Sequence, residues 1–137
     1  KLIVSSKCKN TKSCNKFFSD HIRIDERSLA MHRLIAHKIK ENPHLFNIAK
    51  ENLKRWAQSY AEQGNSLPSW LREWQEIFAN ESLDKILNLI CSRSERAKRL
   101  RQSSPFAGIL TNEERLKIYD AYSIRTYYSR RRKHSGR

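Results

Sequence analysis

The stretch "PHLFNIAKENLKRWAQSYAEQGNSLPSWLREWQEIFAN" (residues 43–80) contains the helical pattern that decides the fold. Apolar residues recur in it every three or four positions, first before Gly64 and again after Leu67. This spacing predicts two amphipathic helices, each with one apolar stripe. The stripes are Leu45, Ala49, Leu53, Trp56 and Tyr60, then Leu67, Trp70, Leu71, Trp74, Ile77 and Phe78. Because Trp70 and Trp74 both fall on a stripe, we expect them in the core rather than on a base-stacking platform.

Glycine and proline mark the ends of these helices. Gly64 suits the position after a helix C-terminus, and Pro68 suits a first helical turn. Asn42-Pro43 ends the preceding helix, because a residue before proline is disfavoured in the α region.

The same pattern continues outward on both sides. "DERSLAMHRLIAHKIKEN" (residues 25–42) places Met31, Leu34, Ile35 and Ile39 on one stripe, with Ser28 as its N-cap. "ESLDKILNLICS" (residues 81–92) adds a short helix with Leu83, Ile86, Leu87 and Ile90. A last helix opens at Thr111, where "TNEE" matches a capping box closed by Glu114.

The predicted fold is all-α: a compact bundle of about five to six short helices. A chain of 137 residues can close one core, and its three glycines and three prolines argue against a turn-rich β-protein. We assign residues 26–124 to the helical domain. Residues 1–25 form a basic N-terminal extension and residues 125–137 an arginine-rich C-terminal tail, both partly flexible.

The net charge of +14 lies mostly in the C-terminal third. Residues 92–137 carry thirteen basic and four acidic residues, whereas residues 26–91 are almost balanced. Such a surplus indicates a polyanionic partner: a nucleic acid, an anionic membrane surface or an acidic protein, among which charge alone does not choose. Of the nucleic acids, we favour duplex DNA over RNA. The cations predicted to contact phosphates are Arg93, Arg96, Lys98, Arg99, Arg101, Arg125, Arg130, Arg131, Arg132 and Lys133. A solvated helix face and a frayed tail are the plainer interpretations of these two basic segments.

The break "QSSPFAG" (residues 102–108) between two helices has two interpretations. In the plainer one, Phe106, Ile109 and Leu110 fold back onto the core, and Gly108 makes a sharp turn. In the other, the break is an exposed surface for a protein partner. That partner-binding set is Gln102, Ser103, Ser104, Pro105 and Phe106.

The sequence contains no pattern typical of catalysis, a cofactor or a metal. Three glycines cannot supply a phosphate-binding loop or a nucleophile elbow, so we predict no enzyme and no cofactor. Cys8, Cys14 and His21 could in principle contribute to a zinc site, but their spacing is not that of a known finger. Three cysteines without a framework spacing favour a cytoplasmic protein, and no apolar run is long enough to span a membrane.

Two segments carry a resemblance to known proteins. "RSLAMHRLIAHKIKENPHLFNIAKENLKRW" (residues 27–56) and "SERAKRLRQSSPFAGILTNEERLKIY" (residues 94–119) resemble small helical bacterial proteins of toxin–antitoxin-type gene pairs. The resemblance spans roughly residues 26–122 and implies the antitoxin or regulator, a helical protein that binds a toxin and can also bind its own operator DNA. A homo-oligomer of this chain is a separate expectation. The corresponding residues are Arg27, Ser28, His32, Arg33, Arg99, Arg101, Gln102, Ser103, Ser104, Pro105 and Phe106.

Two other functions are alternatives to the antitoxin. One is a small RNA-binding or RNA-cleaving toxin that uses Arg125, Tyr127, Tyr128 and His134. The other is a protein-interaction module whose charge is a generic basic surface.

Overall fold

The computed structural model describes the backbone of residues 11–135 and the side chains of residues 20–132. Within that part, the chain forms seven α-helices and one short 3-10 helix, and no strand. The helices are α1 (Thr11–Glu41), the 3-10 turn (Pro43–Leu45), α2 (Phe46–Glu62), α3 (Ser69–Asn80), α4 (Leu83–Ile90), α5 (Glu95–Arg101), α6 (Asn112–Ala121) and α7 (Ile124–Ser135). The all-α prediction is confirmed, with slightly more helices than expected.

The first helix is much longer than predicted. It has 31 residues and runs through Ser28, so the prediction that Ser28 caps its N-terminus is wrong. No glycine or proline interrupts residues 11–41, so nothing in the local sequence stops the helix. It ends at Glu41 as predicted, and the Asn42 side chain accepts a hydrogen bond from the backbone N–H of His44.

The apolar stripes of α1 to α5 meet in one core. Its largest fully buried side chains include Trp74, Phe106, Ile39, Leu71, Ile86, Leu87, Ile90 and Leu100. Trp70 is half-buried against this core, with its ring 5.9 Å from that of Trp56. The prediction that Trp74 belongs to the core is therefore confirmed, and Trp70 packs against the edge of that core.

These helices begin and end at residues that the sequence indicates. Gly64 has a φ of +69° and donates its backbone N–H to Ala61, while Asn65 donates to Tyr60, a Schellman arrangement that closes α2. Pro68 lies one residue before α3. Ser94 caps α5, and Thr111 and Glu114 form the predicted capping box of α6.

The two ends of the described chain pack together. The backbone carbonyl of Tyr122, between α6 and α7, accepts a hydrogen bond of 2.9 Å from Arg23 of α1. The hydroxyl of Tyr128 donates to Asp20 over 3.2 Å. In the described residues, both predicted extensions are helical. Helix α1 continues without a break across residues 25 and 26, where the sequence predicted a boundary.

Candidate functional site

The exposed cations of α5 and of the turn before it are paired with carboxylates. Arg99 makes two hydrogen bonds to Glu73, of 2.7 and 3.1 Å, and Arg96 approaches the same carboxylate at 3.5 Å. These bonds from Arg99 lower the pKa of Glu73. Arg93 pairs with Glu26 at 2.6 Å. Arg93, Arg96 and Arg99, three of the five predicted phosphate-contacting cations of this segment, thus each lie beside a carboxylate of the chain, two of them beside the same one.

Arg101 does not lie on the surface with its neighbours. It is 5% exposed, and its Nη1 atom donates to the carbonyls of Ile90 and Ser92 over 3.0 and 2.6 Å. The prediction that Arg101 is a surface phosphate contact is therefore wrong. Arg101 follows Ala97 and Leu100 on the buried side of α5, a helical spacing that the sequence already contained.

The break at residues 102–108 follows the plainer prediction and folds onto the core. Phe106 is 1% exposed, and its ring lies 5.9 Å from Trp74 and 6.0 Å from Phe78. The buried side chain of Asn52 donates to the carbonyls of Pro105 and Ala107 and fastens the segment to α2. Gly108 makes the predicted turn with a φ of +93°.

The partner-binding prediction for this break needs a correction. Pro105 and Phe106 are buried, so they cannot offer an exposed docking surface. Gln102 is exposed and Ser103 and Ser104 are half-buried. A phenylalanine, an isoleucine and a leucine within ten residues were a signal for core rather than for a surface.

The basic residues of α7 differ from those of α5. Arg125, Arg130, Arg131 and Arg132 are all exposed, and α7 contains no acidic residue. In the described part of the chain, no carboxylate lies within ion-pair distance of Arg125 or Arg130. Arg131 lies over the ring of Tyr127, at 5.4 Å from its centre. The side chains of Lys133 and His134, also predicted to act here, lie outside the described residues.

A cavity of about 570 Å³ lies between α1, α5 and the break, with Tyr119 of α6 at its edge. The residues that the resemblance pointed to converge on it from two distant segments. Those lining it are Arg27, Ser28, His32, Arg101, Gln102, Ser104 and Phe106. Within the first segment, the spacing of Ser28, His32 and Ile35 places them on one face of α1.

His32 and Ser104 form a hydrogen-bonded pair in this cavity wall. The Nδ1 atom of His32 lies 2.7 Å from the carbonyl oxygen of Ser28, so Nδ1 carries the proton and donates. The Nε2 atom then accepts from the hydroxyl of Ser104 over 2.8 Å. Burial lowers the pKa of His32 to about 4, and the Arg101 charge acts in the same direction.

The hydrogen bonds of this pair are those of a serine activated by a histidine, but the pKa of His32 is too low for a general base. A general base works best with a pKa near the working pH, and an imidazole with a pKa near 4 is a weak proton acceptor at pH 7. The contact instead joins the break to α1 across 72 residues. We interpret the pair as a structural link that also shapes the cavity.

The described residues also bear on a metal site and on a membrane-spanning helix. Among the described side chains, no group of three or more His, Cys, Asp or Glu could hold a metal ion. Cys8 and the side chain of Cys14 lie outside the described residues, so zinc binding by Cys8, Cys14 and His21 stays the alternative that the sequence left open. No described helix is long and apolar enough to cross a membrane.

In comparisons with known proteins, no family model, no curated protein and no solved structure matches this chain. The resemblance to toxin–antitoxin-type proteins therefore stays a prediction.

Proposed function

We propose that this chain is the antitoxin-like regulator of a bacterial toxin–antitoxin-type pair, which binds a protein partner and contacts duplex DNA with α7. In this proposal it acts by binding and not by catalysis. The DNA-binding part rests on one observation: which exposed arginines are paired with carboxylates and which are not. Arg93, Arg96 and Arg99 meet carboxylates, whereas Arg125 and Arg130 of α7 are exposed and have no carboxylate within ion-pair distance among the described residues.

The shape of α7 suits a duplex. A helix of 12 residues is about 18 Å long, and the major groove of B-DNA, about 12 Å wide, admits one helix. Duplex DNA carries a negative charge about every 1.7 Å, so several arginines along one helix reach several phosphates.

Exposed apolar side chains support the protein-binding part. Ile22, Ile24, Leu116, Tyr119 and Ile124 are all exposed, and Leu116 is 61% exposed. They lie on α1, α6 and α7, three helices that pack in succession against one another. Among them, Ile24 and Tyr119 line the same cavity, and exposed apolar groups close to one another are typical of protein–protein surfaces. We therefore propose this region, in place of Pro105 and Phe106, for the protein partner.

The test compares two double variants that each remove two positive charges. Arg125→Gln with Arg130→Gln changes α7, and Arg96→Gln with Arg99→Gln is the matched control on α5. Fluorescence anisotropy follows binding to a duplex from upstream of the protein's own gene, an unrelated duplex and a single-stranded RNA. Each titration is repeated between about 50 and 200 mM salt, a range in which phosphate contacts weaken strongly.

We expect the α7 variant to weaken binding to both duplexes and to lower the salt slope by about two, one for each lost phosphate contact. The α5 variant should change the slope little. A larger effect of the α5 variant would contradict the assignment to α7. Equal binding of wild type to all three nucleic acids, lost at 200 mM salt, would favour the generic basic surface. Cleavage of the RNA would favour the toxin.

A further inference from the structure

The cavity between α1, α5 and the break is lined by an excess of positive charge. Arg27, Lys98 and Arg101 line it, together with one carboxylate, Asp25. His32 is neutral near pH 7 because its pKa is about 4. The cavity is built by this chain alone, and it is separate from the exposed arginines of α7.

The cations Arg27 and Lys98 of this cavity have few carboxylates near them. Arg27 has no carboxylate within ion-pair distance in the described residues; its guanidinium lies over the ring of Tyr119, 4.4 Å from its centre. Lys98 pairs only with Glu95 at 3.4 Å, and that carboxylate is 92% exposed. Pairs in such exposed positions contribute little, because water screens them.

Arg101 supplies a buried donor that has no partner. Its Nη1 atom is occupied by two carbonyls, whereas its Nε atom is buried without a hydrogen bond. The Nε atom has almost no exposed surface, so a ligand in the cavity does not reach it directly. The guanidinium as a whole lines the cavity, and an anion there would lie beside its positive charge.

We propose that this cavity binds a small organic anion, whose carboxylate or phosphate group lies among Arg101, Lys98 and Arg27. The rest of its wall is apolar, with Met31, Ile35, Phe106 and Tyr119 among the lining residues. A cavity of about 570 Å³ is within the usual range for small-molecule sites. The ligand therefore combines one anionic group with an apolar body. This proposal does not depend on DNA binding.

The test uses phenyl phosphate as the probe, with benzoate as the carboxylate of similar size. Benzyl alcohol is the neutral analogue, and inorganic phosphate is the anion without an apolar body. Each is titrated into the full chain labelled with 15N, and the amide signals of Met31 and Ser104 report on occupancy. We expect saturable shifts with phenyl phosphate or benzoate and at least about tenfold weaker binding of the other two.

Two variants and one control test the charges while Arg101 itself stays in place. Lys98→Gln should weaken anion binding by about tenfold, and Lys117→Gln, which removes an exposed lysine of α6, should not. Asp25→Asn should tighten anion binding by about threefold, since it removes the one negative charge of the wall. Damage to the fold does not tighten binding, so this opposite effect separates electrostatics from structure.

Several results would overturn the proposal. One is the absence of saturable shifts with both anions. Another is binding of benzyl alcohol as tight as that of phenyl phosphate, which would make the cavity merely apolar. A third is an equal effect of Lys98→Gln and Lys117→Gln, which would place the anion on the general surface.

Discussion

At the scale of single residues, His32 shows how burial changes the chemistry of a side chain. It is 5% exposed, and both of its ring nitrogens are occupied, by the Ser28 carbonyl and the Ser104 hydroxyl. Protonation would place a second donor against Ser104 and a positive charge near Arg101. The folded state therefore favours the neutral imidazole.

This environment predicts a loss of stability in mild acid. An unfolded histidine binds a proton near pH 6.5, but folded His32 does so only near pH 4. Between these values the unfolded state binds more protons, so the free energy of unfolding falls as pH falls from about 6.5 to about 4. The expected total is about 3 kcal/mol, measured by urea unfolding across that range.

The histidine variants make this prediction specific. His32→Gln should lose most of the dependence on pH between 4 and 6.5. His37→Gln removes an exposed histidine that pairs with Glu41, and it should keep the dependence. An unchanged pH dependence in His32→Gln would show that another group is responsible.

At the scale of elements, α6 is held differently from the other helices. It has no buried residue, and polar groups attach its first turn. Glu114 closes the capping box with Thr111 and also pairs with Lys38 of α1 at 2.6 Å. Hydrogen bonding from Lys38 and from the Thr111 backbone lowers the pKa of Glu114 to about 2. One carboxylate thus serves both the start of α6 and its contact with α1.

Removal of this carboxylate should loosen α6 selectively. We expect Glu114→Ala to speed amide hydrogen exchange in α6 by about tenfold, because the cap and the contact with α1 are lost together. Exchange in α3 and α4 should change little. Glu113→Ala is the matched control, since Glu113 lies in the same turn outside the capping box. Equal acceleration in both variants would mean that the first-turn charge, not the cap, stabilises α6.

The helices predicted from sequence are those whose cues are local. The stripes of α2, α3 and α4 and the capping box at Thr111 each depend on residues a few positions apart. The start of α1 was missed because the helix continues past Ser28 through a stretch with no local stop. The balance of charge on α5 was missed because its partners are remote: Glu73 lies 26 residues from Arg99, and Glu26 lies 67 residues from Arg93.

At the scale of the whole molecule, the break at residues 102–108 is part of the core rather than a connector. Phe106 packs among Trp74, Phe78 and Phe46, which belong to α3 and α2. Ile109 is buried beside this cluster. The segment between α5 and α6 thus contributes buried side chains to the core. The sequence allowed this interpretation but could not exclude a docking surface, because composition alone does not show which side chains a fold covers.

Phe106→Ala should therefore destabilise the entire protein. We expect a loss of about 3–5 kcal/mol in the free energy of unfolding, typical of a large-to-small change at a buried aromatic. Urea unfolding followed by tryptophan fluorescence measures it. Gln102→Ala, at an exposed position of the same segment, should change stability by less than about 0.5 kcal/mol. A mild effect of Phe106→Ala would show that the break is not part of the cooperative core.

The late position of this core segment also constrains how the protein folds during synthesis. A ribosome releases α1 to α4 well before Phe106 and Ile109, so the nascent chain carries an interior with one side open. Domains generally fold as units as they are made, and transiently exposed apolar surface is prone to aggregate. A translational pause before Ile109 would prolong that exposed state. The basic helix α7 follows Phe106 and Ile109 along the chain, so its arginines emerge after these two core residues.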